Sequence, residues 1–269
     1  MINWILQKNL TKPAILKRIK SAVNQDGENW EEIEVIPFSN QLARIQNKDA
    51  FHVIYGSTTF MLLAYEVEEL RAGLFFDPAK FQMQNYVKQW QEQVLNHKGN
   101  LILLGELANM ESPPQMRWFI RPNSDGKAFS GRVHTFKDLV QWSKSVIPLD
   151  IPEMNKDTEI WISQAKEIAK EWRLFVVDDK IISASRYMNK GELAESRTDI
   201  PEEMIRFAKG LIDEYRLADV YAMDIALSNG KYRLLECNCF NGTGFYQHDI
   251  EVIIRAVNGF IRTDKITKG

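Results

Sequence analysis

The rhythm of hydrophobic and polar positions changes partway along the chain. Up to about residue 95, short apolar runs alternate with segments of helical spacing. Asn3–Leu6 predicts a strand, and Ala14–Val23 places Ala14, Ile15, Ile19, Ala22 and Val23 on one helix face. Glu32–Pro37 and Phe51–Tyr55 predict two further strands. The second runs into Gly56-Ser57-Thr58, a strand-to-helix turn, and a helical stretch follows to about Leu70. Such alternation predicts a three-layer α/β lobe with a parallel sheet.

After a long amphipathic segment, Phe81–Asn96, and a strand at Leu101–Leu104, runs of period two dominate. Strands are predicted at Arg117–Arg121, Val133–Phe136, Glu159–Ser163, Trp172–Val177, Lys180–Arg186, Tyr221–Leu227 and Tyr232–Asn238. Helices are predicted at Lys137–Ser145, Ser163–Lys170, Pro201–Tyr215 and Asp249–Phe260. The expectation is an α/β lobe over 1–95 and an α+β region rich in antiparallel hairpins over 96–269.

Composition narrows the function classes. A net charge of −2 supplies no global positive field, so neither nucleic acid nor an anionic membrane is an expected partner. No apolar run reaches the roughly 18 residues of a membrane span. The opening residues lack a signal-peptide pattern. The two cysteines, Cys237 and Cys239, sit one residue apart on a predicted strand, where they are badly placed to bridge each other. A reducing, cytoplasmic setting is the expectation.

The stretch from Tyr221 to Asn241 carries the most chemistry. Two apolar runs flank Ser228-Asn229-Gly230, a hairpin signal. Strand periodicity puts Glu236 and Asn238 on one face and the two cysteines on the other. A two-residue turn would set Asp224 opposite Leu235 and send its carboxylate to the wrong face. A three-residue loop with Gly230 left-handed would gather Asp224, Glu236 and Asn238 on one surface, and that loop is predicted. Two carboxylates and an amide oxygen make a hard-oxygen set suited to Mg2+, which takes its remaining ligands from phosphate and water. A solvated polar sheet face would carry the same residues.

A second hairpin runs from Arg117 to Val133. Its strand ends at Arg121-Pro122, and small or polar residues surround Lys127 (Asn123, Ser124, Asp125, Gly126, Ala128, Ser130, Gly131). Small residues let backbone N–H groups approach phosphate, and a lysine adds a mobile charge. A long surface hairpin would look similar. Further on, Glu171 and Arg173 share a strand face. They read either as an exposed cross-strand pair or as cleft residues, the guanidinium fork facing phosphate or carboxylate.

In their order and spacing these stretches, roughly residues 117–246, resemble the ATP-grasp superfamily, and within it the clade named for two arginines and a lysine. The resemblance implies an ATP-grasp fold, in which an N-terminal α/β pre-grasp lobe precedes two α+β lobes clasping ATP. It implies a nucleotide-covering subdomain at about 115–165 and a metal-binding subdomain at about 166–269. Arg121 stands where the family contacts ATP phosphates, and Lys127 stands in the phosphate-covering loop. Glu159–Ser163 falls at the adenine-binding hinge, with Trp161 and Ile162 beside the base. Arg173 matches the arginine that meets phosphate or an acyl-phosphate, with Glu171 beside it in the nucleotide site. Asp224, Glu236 and Asn238 match the Mg2+ ligands, and Arg186 is a further candidate for the acidic substrate. Phe245 and Tyr246 border the acceptor pocket or pack in the core.

The implied cofactors are ATP and Mg2+. The implied reaction joins a small-molecule or peptide carboxylate to an amine or thiol through an acyl-phosphate. A small-molecule kinase and a non-catalytic ATP sensor remain alternatives. The chain has no Walker A loop, HExxH, GxSxG or protein-kinase motif. Phosphoryl transfer needs positioning and charge neutralisation rather than a protein nucleophile.

Overall fold

The computed structural model describes residues 1–36, 42, 45–47, 49–126, 128–151 and 154–266. The N-terminal lobe begins with β1 (Ile2–Gln7), α1 (Pro13–Gln25), β2 (Asn29–Ile33) and β3 (Phe51–Tyr55). The three strands form a parallel sheet in the order β2-β1-β3. Pairing with β1 draws β2 earlier in the chain than Glu32–Pro37, and Pro37 lies outside the described residues. Helices α2 (Thr58–Tyr65) and α3 (Glu68–Arg71) occupy the predicted helical stretch. Ser57 caps α2 by accepting the Phe60 N–H at 3.2 Å. Helix α4 (Met83–Trp90) covers only the middle of the long amphipathic segment, and Gln91 breaks it with φ 43°.

Next come β4 (Asn100–Leu103), β5 (Arg117–Pro122), β6 (Arg132–Thr135), α5 (Phe136–Val146) and β7 (Glu159–Gln164). Their strands make an antiparallel sheet in the order β4-β7-β5-β6. The remaining elements are β8 (Lys170–Val177), β9 (Lys180–Asn189), β10 (Glu192–Ser196), α6 (Glu202–Glu214), β11 (Val220–Ser228), β12 (Lys231–Cys239) and α7 (Ile250–Phe260). These strands form a second antiparallel sheet, β10-β9-β8-β11-β12. The predicted helix Ser163–Lys170 is absent. Sheet pairing claims its backbone, since the Ala165 N–H donates to Arg117 O and the Ala169 N–H to Leu227 O. Strand β10, with only five residues, has no counterpart among the predicted strands.

Both faces of the five-stranded sheet carry core residues. Trp172, Leu174, Met223 and Ile225 join one cluster with Met204 and Leu211 of α6. Phe175, Val177, Val220 and Ala222 join another with Ile253 and Val257 of α7. Full burial of one such large side chain contributes roughly 1.5–3 kcal/mol. No helix among the described residues is long and apolar enough to cross a membrane.

The loop after β12 fastens this sheet to the N-terminal lobe. The buried Asn241 side chain donates to Ile54 O at 2.7 Å and Gly73 O at 2.9 Å, and its backbone carbonyl accepts the Gly56 N–H at 3.0 Å. Tyr55 donates its hydroxyl to Thr243 O at 2.8 Å. Gly73 is required by close approach, because a Cβ there would sit 1.7 Å from His52 O. Gly73→Ala is therefore expected to cost about 3 kcal/mol through overpacking. Gly210→Ala, in α6 with nothing within 4 Å of the added Cβ, should stabilise by up to about 1 kcal/mol. Urea unfolding of both variants checks the contrast.

Candidate functional site

The β11–β12 turn corrects the predicted loop. Ser228 pairs with Lys231, so the turn is two residues long, Asn229 at φ 49° and Gly230 at φ 72°. Asn-Gly accepts this doubly left-handed geometry, which matches the twist of hairpin strands. The register then shifts once. Ile225 faces Leu234, Asp224 faces Glu236, and Leu235 is the extra residue of a bulge. The bulge does the work expected of the longer loop. It brings Asp224, Glu236 and Asn238 together.

Each carboxylate is held by an arginine. Arg173 lies directly opposite Asp224 in the β8–β11 register. Its Nε and Nη2 donate to the two Asp224 oxygens at 2.8 and 2.6 Å, a bidentate pair with both side chains buried. Its Nη1 donates to Gly244 O at 3.1 Å. Burial opposes the Arg173 charge, but Asp224 outweighs it and raises the guanidinium's proton affinity. Arg121, at the end of β5, donates from Nη1 to Tyr86 at 2.8 Å and to Glu236 at 3.1 Å. The Asn238 amide donates to Glu236 Oε1 at 3.2 Å and Asp224 Oδ2 at 3.4 Å, while its buried Oδ1 accepts no hydrogen bond from the described residues. An amide oxygen without a partner beside two carboxylates fits a hard divalent cation. Among the described residues, no group of three or more His, Cys, Asp or Glu makes a metal cluster.

A second bulge supplies an aromatic wall. Glu171 pairs with Met188 but Trp172 pairs with Arg186, so Tyr187 is looped out of the register. Tyr187 stacks on Tyr246 at 4.7 Å with 3° between the rings, and the Arg173 guanidinium lies 4.9 Å from the Tyr246 centroid. The Tyr187 hydroxyl donates to Glu171 at 2.5 Å. Burial raises the Glu171 carboxyl pKa, the Tyr187 hydrogen bond opposes this, and Asp224 and Glu236 add to the rise.

Most of these groups line a cleft of about 460 Å³ between the four- and five-stranded sheets, with Asn238 and Tyr86 fully buried behind its walls. Phe119, Arg121 and Gly131 come from one side, and Glu171, Arg173, Asp224 and Glu236 from the other. Apolar Ile168 and Leu235 complete the walls.

Not every residue singled out in the sequence arrives here. Lys127 lies outside the described residues. Trp161 is buried and donates its indole N–H to Asn96 O at 2.9 Å, and Ile162 belongs to the core of the four-stranded sheet. Both sit in the part of β7 that is paired on both edges, where ladder bonds consume the backbone groups a base would need. Arg186 shares its register position with buried Trp172 and is ion-paired to Asp199, outside the cleft, because the bulge exchanged its place with Tyr187. Phe245 packs in the core, whereas Tyr246 reaches the cleft. Tyr86, Tyr187 and Leu235 escape the sequence reading. The two bulges turn the last two toward the cleft, and a bulge leaves no signal in periodicity.

The sequence profile of an ATP-grasp domain, the second family of the clade named for two arginines and a lysine, matches residues 98–256, more than half the chain. The chain belongs to this ATP-grasp family. Solved ATP-grasp structures have the same fold over nearly the whole length. D-alanine–D-alanine ligase from Bacillus anthracis superposes with a TM-score of 0.62 at 11% identity, covering 100% of this chain and 99% of that one. A RimK-domain ATP-grasp protein from Sphaerobacter thermophilus gives 0.61 at 9% identity, with 96% and 99% covered. The macrocyclase MdnC from Microcystis aeruginosa, bound to its precursor peptide, gives 0.55 at 13%, with 97% and 100% covered. No curated protein matches by sequence.

Two predictions test the electrostatics of this ATP-grasp cleft. Asp224→Ala leaves a buried guanidinium uncompensated and should cost about 3–5 kcal/mol, whereas Arg173→Met with Asp224→Leu should recover most of that loss in urea unfolding. His248 accompanies the cleft loop. Burial first, then Arg173 and Arg197, lower its pKa to about 3. The native imidazole stays neutral while the unfolded one protonates near pH 6.5, so stability falls as pH drops from about 6.5 toward 3. At pH 5.5 this group alone should contribute a loss of about 1.4 kcal/mol relative to about pH 8, and His248→Gln should remove that part of the slope.

Proposed function

We propose that the cleft binds ATP with Mg2+ and activates a carboxylate as an acyl-phosphate, which an amine or thiol then opens. The protein would be an ADP-forming ligase making a C–N bond. The observation that carries this reading is the pairing of two buried arginines with two carboxylates around an unpartnered amide oxygen. At rest, Glu236 and Asp224 satisfy Arg121 and Arg173. A triphosphate would offer the arginines other anions, and Asp224, Glu236 and Asn238 would then hold Mg2+, which would supply charge neutralisation at the phosphates. The guanidinium forks orient phosphate oxygens and keep the attacking carboxylate in line. Lys127 would add a phosphate contact from the covering hairpin. Glu171 would accept a hydrogen bond from a nucleotide hydroxyl, and Phe119, Ile168 and Leu235 would give apolar walls for a base.

In this reading, residues 1–95 form the pre-grasp lobe, and 96–269 form the ATP-grasp domain with subdomains near 115–165 and 166–269. The solved relatives include a ligase of D-alanine and a macrocyclase bound to a precursor peptide. They support a small amino acid or a peptide as the class of acceptor and acid.

Calorimetric titration of ATP, with and without Mg2+, tests the reading on wild type and on a Glu236→Gln, Asn238→Ala double variant. Wild type should bind with Mg2+-dependent affinity, and the variant should lose at least about tenfold, or about 1.4 kcal/mol. Absence of binding by folded wild type would refute the proposal. With binding established, ADP release that requires both an acid and an amine separates a ligase from a kinase or a sensor.

A further inference from the structure

Three consecutive odd-numbered residues, Arg121, Asn123 and Asp125, project from the end of β5 and are all buried. Arg121 reaches Tyr86 and Glu236, as described. Asn123 is fixed on every side. Its side-chain N–H donates to Glu159 at 2.9 Å, its Oδ1 accepts the Gln84 N–H at 3.1 Å, and its backbone bonds Met83 and Glu159. Asp125, two residues on, therefore starts from a rigid base. Its Oδ2 accepts the Cys239 backbone N–H at 2.8 Å.

That acceptor has an unusual position. Strand β12 is the edge of the five-stranded sheet. Its outer side is covered at one end by the Leu95 N–H donating to Leu234 O, and at the other end by Asp125. The carboxylate thus substitutes for a neighbouring strand. The amide it holds belongs to the peptide bond that follows Asn238, so it fixes the backbone plane of one of the three candidate Mg2+ ligands. With Arg121–Glu236 it makes two ties between the β5 segment and the metal hairpin.

The two ties differ in what nucleotide binding does to them. Glu236 cannot serve a cation fully while neutralising Arg121. A triphosphate that takes the place of Glu236 on Arg121 therefore opens that tie. The Asp125 bond, made to a backbone amide, does not have to break.

We propose that Asp125 is a positioning residue of the nucleotide site. It anchors the Asn238–Cys239 peptide, so that Asn238 stays in place when a nucleotide draws Arg121 away from Glu236. The proposal rests on the ATP·Mg2+ reading and adds a role that reading does not contain.

Asp125→Ala removes the acceptor of the Cys239 N–H, whereas Asp125→Asn keeps one. In the alanine variant the enhancement of ATP affinity by Mg2+ should fall about tenfold while metal-free ATP binds as to wild type. The same variant should lose amide-exchange protection at Cys239 in NMR, and Asp125→Asn should retain both the protection and the Mg2+ effect. A merely structural residue would weaken ATP binding equally with and without Mg2+, and that result overturns the proposal. Asp125→Ser, which keeps a small neutral acceptor, replaces the asparagine variant if the latter does not fold. Failure of wild type to bind ATP·Mg2+ is a separate outcome. It refutes the nucleotide reading itself, and the role of Asp125 with it.

Discussion

A charge buried between two sheets is costly unless a partner is fixed beside it, and this constraint organises the molecule. Arg173 and Asp224 meet as direct register partners on adjacent strands, in bidentate contact and almost without solvent. Removing two such ions from water opposes folding by several kcal/mol per ion, so close geometry and further hydrogen bonds must offset it. Gly244 O supplies one of those bonds, and the guanidinium lies against the stacked Tyr187 and Tyr246 rings. Arg121 repeats the arrangement from the facing sheet, with Tyr86 as the additional acceptor and Glu236 as the counter-charge. A neutral apolar seam would pack as well, but it could not exchange partners with an anionic ligand.

The surrounding fold keeps these partners in place. One face of the five-stranded sheet packs against α6 and the other against α7, so the strands carrying Arg173 and Asp224 are rigid. Asn241 then links the end of the β11–β12 hairpin to β3 and to Gly73 through its side-chain amide and its backbone carbonyl. A buried amide in this position costs little because its groups find partners, and it fixes the approach of the N-terminal lobe to the five-stranded sheet. The ATP-grasp family assignment and the shared fold agree with this organisation.

Several parts of the site are legible in the residues themselves. Alternation locates the strands that carry Arg121, Arg173, Asp224, Glu236 and Asn238, because side-chain period two is a property of extended backbone. Asn-Gly locates the hairpin turn. The family resemblance assigns expected roles to those side chains. Segments whose apolar spacing fits two periods mislead, as at residues 163–170, where sheet pairing overrides a local helical pattern.

The sequence alone therefore determined the order of most elements, their alternation and the chemical identity of the cleft's charged groups. Tertiary structure decided which of those groups meet. Whether Tyr187 or Arg186 faces the cleft depends on a one-residue bulge in β9, and whether Asp224 faces Glu236 depends on another at Leu235. A bulge inverts every side chain beyond it, and it forms where the summed packing of both sheet faces is best. That sum runs over residues far apart in the chain, so no local pattern can express it.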